Sequence, residues 1–105
     1  MERKHFDHFN IAGFTYYEGV LAFKQLEIGT ELMMKPEPEN RYDENAVAIY
    51  FKKHKLGFVP RKSNKALAAL LNAGQNIFEM RVQQIAPDAY PEQQVLVTVF
   101  VKTKS

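Results

Sequence analysis

The sequence predicts a mainly β domain: a small, partly open antiparallel barrel of about six strands with two short α-helices. Three observations predict it. Short apolar runs alternate with polar residues at the two-residue period of strands. Gly, Pro and Asn clusters punctuate them at short intervals. Two stretches switch to the helical period. At 105 residues the chain is long enough for one domain and too short for two.

The elements follow in order. Phe6 to Ala12 alternates around Phe9 and Ile11 and reads as a strand. After Gly13 and the segment Phe14–Gly19, Val20 to Leu26 fits a short helix, with Gly29 in the turn beyond it. Glu31 to Lys35 reads as a strand. Pro36 and Pro38 lack a ladder donor, so the segment from Pro36 to Asn40 reads as a loop. Ala46–Phe51 and Lys55–Val59 form a hairpin whose basic tip lies at Lys53-His54 or its neighbours. Ser63 reads as the N-cap of a helix over residues 64–73, Leu67, Leu70 and Leu71 as its apolar stripe, and Gly74 as its C′ residue. Phe78, Met80 and Val82 alternate in a fifth strand. Val95, Val97, Val99 and Val101 line one face of the last. Six short strands bury little unless the sheet curls on itself, hence the barrel.

Composition removes several classes of function. With no Cys there is neither a disulfide framework nor a thiolate metal site. No run approaches the roughly 18 apolar residues of a membrane span. Met1–His5 leads into no apolar signal core, so a cytoplasmic or nucleoid location is expected, with no membrane partner. His5 and His8 are three apart, which in a regular strand points them to opposite faces, and no third ligand has clear spacing. Glu37, Glu39, Asp43 and Glu44 fall mostly in a Pro-broken loop and read as solvated rather than as a cation site. No nucleophile elbow or phosphate loop is present, so no enzyme activity, cofactor or metal is expected.

The net charge of +2 hides an asymmetry. From Asn45 to Phe78 there is no Asp or Glu, yet the stretch holds Lys52, Lys53, Lys55, Arg61, Lys62 and Lys65. A basic face of this kind suits an anionic partner. Tyr16 and Tyr17 are adjacent after a glycine, so at least one ring is expected at the surface, where it either stacks on a base or decorates a rim. Asp43 and Asn45 either make a turn or contact a ligand. Phe58 is either core or site.

Three segments together resemble the HIRAN domain family: Ile11–Gly19, Glu37–Val47 and Lys55–Arg61, with the helix placed after the third. The resemblance runs from about Phe9 to about Lys102. It implies an OB-like β-barrel that captures the 3′ end of single-stranded DNA. By position, Tyr17 and Tyr42 would hold the terminal base and Asp43 would accept a hydrogen bond from the 3′-hydroxyl. Asn40 would support the base edge or the end, Tyr16 and Arg61 would contact phosphates, and Phe58 would lie near the second base. Lys62 would add attraction beside Arg61. Thr15 stands where the helicase-fused members carry Arg, so one phosphate contact is weaker or lost; Arg41 stands where Pro is common. A helicase or nuclease is the protein partner that the resemblance implies. The alternative reading is a protein-interaction module that uses the barrel groove or a sheet edge.

Overall fold

A computed structural model describes residues 2–103. Its strands are β1 (Glu2–Asn10), β2 (Glu31–Pro36), β3 (Val47–Phe51), β4 (His54–Phe58), β5 (Phe78–Ile85) and β6 (Val95–Thr103). The helices are α1 (Gly19–Ala22), which tightens into a 3-10 turn over Phe23–Gln25, and α2 (Arg61–Asn72). The strands make one antiparallel sheet in the order β1-β6-β5-β2-β3-β4.

The sheet curls but does not close. β2 pairs with β5 through Glu31 and Leu32, then with β3 through Met33 to Pro36, so it passes from one half of the sheet to the other. Among the described residues, the two edges of the sheet pair at one point. Beyond the end of β1, Ala12 and Phe58 exchange both backbone hydrogen bonds, at 2.8 and 2.9 Å. Gly57 permits this approach. Its φ is 150°, and a Cβ there would lie 2.2 Å from the Ala12 carbonyl oxygen. The expected partly open barrel is thus a curled sheet held by a single bridge.

The core follows the alternation. Val97 and Val99 of β6 lie opposite Val82 and Met80 of β5, and these four, with Val95 and Phe78, are buried. Val47, Ile49 and Leu56 extend the same interior across β3 and β4. Leu67 and Ala68 of α2 pack onto it.

Local boundaries differ from expectation for physical reasons. β1 begins at Glu2 rather than Phe6 because nine-residue β6 offers its polar N-terminal half a full ladder, from Glu2↔Thr103 onward. The hairpin turn falls within the expected neighbourhood, at Lys52-Lys53, with Lys52 in the left-handed region at φ 54°. α2 starts at Arg61, not after Ser63. Val59 is fixed to β3 by its amide, so the chain must turn at Pro60, and the Ser63 N–H donates to the Pro60 carbonyl. No side chain caps that end. The other end is as expected. Gly74 at φ 83° lets its own amide and that of Gln75 reach back to Leu71 and Leu70.

Candidate functional site

The bridge between Ala12 and Phe58 sets the first wall of an open cavity of about 320 Å³. Gly13, at φ 72°, starts a 3-10 turn over Phe14–Tyr16. Phe14 drives inward and is buried, so the residues after it are turned outward. Tyr16 is 88% exposed and Tyr17 42%. Tyr17 is propped edge-on against Phe58, with ring centroids 5.5 Å apart at 72°. The Lys55 ammonium lies 5.2 Å from the Tyr17 ring centre and 4.5 Å from that of Phe58. Phe58 is therefore neither core nor free surface; it backs the Tyr17 ring.

The second wall is the loop between β2 and β3. Asn40 organises it: its Oδ1 accepts the N–H groups of Tyr42 at 2.9 Å and Asp43 at 3.2 Å. Its Nδ2 donates to Glu37 at 3.0 Å. Asp43 Oδ1 in turn accepts the Asn45 N–H at 2.9 Å. Short polar side chains that bind nearby backbone in this way fix a loop without a ladder. Tyr42 is thereby thrust out, 79% exposed, over the cavity.

α2 supplies the floor. Asn64 is buried and its Nδ2 donates to Asp43 Oδ2 at 2.9 Å. Arg61 donates from Nη2 to the Tyr42 carbonyl at 3.1 Å, with its Nε 3.6 Å from Asp43 Oδ2. Hydrogen bonds from the Asn45 amide and Asn64, with the Arg61 charge behind them, hold the Asp43 carboxyl below its ordinary range against a small opposing effect of burial. Burial pushes Glu37 up, but hydrogen bonds from Asn40 and Lys55 outweigh it, and its carboxyl also ends below the usual value.

Seven of the nine sequence-predicted residues line this one cavity: Tyr16, Tyr17 and Phe58 on one side, Asn40, Tyr42 and Asp43 on the other, Arg61 between them. Thr15 is exposed on the same turn but does not line it. Lys62 faces a different concavity, with Phe6 and Lys65. The basic tip is less free than its composition implies. Lys55 is paired with Glu37 at 2.9 Å, and His54 lies 3.1 Å from Glu18.

Two contributors escape the sequence reading. Lys55 counts there only as tip charge, and no spacing rule marks it as a brace for two rings. Asn64 does leave a trace, because it is the polar member of an otherwise apolar helix face.

Elsewhere, an irregularity in β1 between His5 and Asp7 brings His5 and His8 to one face rather than opposite faces. His5 Nε2 and His8 Nδ1 are 2.9 Å apart. Among the described residues no three His, Cys, Asp or Glu converge as a metal site, and no helix is long and apolar enough to cross a membrane.

A family model described as the HIRAN domain matches residues 7–104. A crystal structure of a protein from Lactobacillus plantarum superposes with a TM-score of 0.80 at 24% identity, over 95% of each chain. The crystal structure of the HIRAN domain of human HLTF gives 0.61 at 20% identity, over 96% of this chain and 75% of that one. At these identities the two structures speak for the fold. No curated protein matches the chain.

Proposed function

Since the chain belongs to the HIRAN domain family, we propose that it is a nucleic-acid-binding module whose cavity receives the 3′-hydroxyl end of single-stranded DNA. The observation that supports this reading is the convergence of two phenol rings, Tyr17 and Tyr42, and one ionised carboxylate, Asp43, on a single open cavity. The volume sits at the lower end of ligand pockets, roughly 300–1,000 Å³, which fits one nucleotide rather than a duplex end.

Each residue type has a separate task. The two rings stack on the terminal base, at about 1–3 kcal/mol per base whatever its identity. Phe58 and Lys55 keep the Tyr17 ring in place. Arg61, exposed, and Tyr16 contact phosphates. Asn40 acts through the loop that it shapes, since both lone pairs of its Oδ1 are engaged there. Lys62 and Thr15 lie outside the cavity and contribute at most along the path of the strand.

Asp43 supplies the selectivity. A carboxylate offers about four acceptor sites. The Asn45 and Asn64 groups use one on each oxygen, which leaves acceptor capacity for a hydroxyl. A terminal phosphate would instead bring a second anion. At about 4 Å and an effective dielectric near 20, two unit charges repel by about 4 kcal/mol. Solvent reduces that figure, but a tenfold preference needs only about 1.4 kcal/mol. The chemistry is binding without bond making, and remodelling or cleavage of DNA falls to a helicase or nuclease partner.

Fluorescence anisotropy with a short strand ending in 3′-hydroxyl, the same strand ending in 3′-phosphate, and a blunt duplex tests the reading. Tighter binding of the hydroxyl form is the expected result; equal affinity for both ends rejects end recognition.

A protein-interaction module is the second reading. Val20 and Leu21 of α1 are two-thirds exposed, and β1 is an edge strand of nine residues. Binding that does not weaken with salt would favour it.

A further inference from the structure

The inward face of α2 carries Asn64, Leu67, Ala68 and Leu71, the i, i+3, i+4, i+7 spacing of one helix face. The last three are apolar and pack on the core. Asn64 is only 3% exposed, one of two buried polar residues among those described. A leucine would serve packing better, because an amide in such a place must be hydrogen-bonded to be tolerated. Its Nδ2 donates to Asp43 Oδ2 at 2.9 Å, and an amide nitrogen can only donate. The contact therefore fixes Asp43 as an acceptor.

The Asn45 amide also only donates to Asp43, on the other oxygen, but it comes from the same loop and cannot orient the carboxylate against the rest of the cavity. Arg61 reaches Asp43 from the helix that carries Asn64, at 3.6 Å, but its side chain is three-quarters exposed and is the one free to turn toward an incoming phosphate. Glu44 adjoins Asp43 in the loop, and the phenols of Tyr16, Tyr17 and Tyr42 line the same cavity. Lys55 and Glu37 are already paired with each other, at 2.9 Å.

We infer that Asn64 is a positioning residue: its buried amide, anchored on α2, keeps the Asp43 carboxylate aimed into the cavity when Arg61 swings to the ligand, and so preserves recognition of a hydroxyl end. The inference rests on the end-recognition reading above.

The test follows the affinity of a short oligothymidine ending in 3′-hydroxyl between pH 5 and 8.5, for the wild type and Asn64→Asp. The 3′-phosphate form is compared at pH 8, where its second ionisation, near pH 6, is complete. The wild-type hydroxyl affinity should vary less than threefold. Asn64→Asp keeps the shape but places two carboxyl groups about 3 Å apart, which cannot both ionise freely. At low pH the shared proton preserves the hydrogen bond. As pH rises and the proton leaves, affinity should fall tenfold or more, a dependence that the wild type lacks. A variant profile parallel to the wild type overturns the inference. If Asn64→Asp does not fold, Asn64→Ala serves in its place: it should shrink the hydroxyl-over-phosphate preference, and an unchanged preference overturns the inference. A wild type without that preference overturns the end-recognition reading and the inference with it, whereas a wild type that keeps it beside a parallel variant profile overturns the inference alone.

Discussion

Tyr42 is exposed and held by its backbone, whereas Tyr17 also packs on Phe58. Their truncation should therefore separate binding from stability. Tyr42→Ala should weaken strand binding by about 1–3 kcal/mol with no change in melting temperature. Tyr17→Ala should cost as much in binding and lower the melting temperature slightly, because Phe58 loses its neighbour. Anisotropy paired with thermal denaturation reads both. The carboxylates give a second residue-scale prediction. Asp43, Glu37 and Glu79 all have folded-state values below their ordinary ones, Glu79 through hydrogen bonds from Arg81 and Arg3. Groups of this sign stabilise the fold above the unfolded carboxylate range, near pH 4, and lose that contribution as pH falls through their lowered values. Melting temperature should hold level from pH 7 to about 5 and then decline. A decline that starts on raising pH from 5 to 7 would contradict the sign.

At the scale of elements, β-prone runs mark β3 and β4, hydrophobic alternation marks β5 and β6, and the glycine after α2 marks its end. What stayed hidden depended on partners distant in sequence. The charged start of β1 is strand only because β6 runs alongside it. The His5–His8 pairing depends on an irregularity that no spacing announces. Ser63 looks like a cap, yet Pro60 takes that position because Val59 is pinned. Ser63→Ala should then change stability by only a few tenths of a kcal/mol, not the typical ~1 of a lost cap. Gly57→Ala should do far more. Positive φ and the Ala12 carbonyl both oppose a side chain, and strain of this kind costs about 1–3 kcal/mol. Urea denaturation of the two variants checks the contrast.

Across the whole molecule, charge counts overstate the electrostatic reach. The asymmetric stretch holds six cations, but Lys55 is paired with Glu37 and Arg61 leans on Asp43. Lys62 and Lys65 lie by another concavity. If one to three phosphates are contacted, the slope of log affinity against log salt should lie between about −0.7 and −2, from a rule of about −0.7 per phosphate on single strands. Titrations at several salt concentrations measure it, and a slope near −4 would mean that the whole basic stretch engages DNA. In the residues themselves the candidate site is readable as three motifs, and only the family resemblance implies that they form one place. Residues 13–17, 40–43 and 58–64 meet only because the sheet curls, and curvature is a property of all six strands together.

That curl is latched by two amides. Among the described residues, the Ala12–Phe58 bridge is the one backbone pairing between the two edges of the sheet, and the walls of the cavity hang on either side of it. Should this latch open, the walls would part before the core is disturbed, and a strand lodged between them would act as a strap across the gap. Amide hydrogen exchange at Ala12 and Phe58 should accordingly slow when the oligonucleotide is added, while the interior of β5 and β6 exchanges at its former rate.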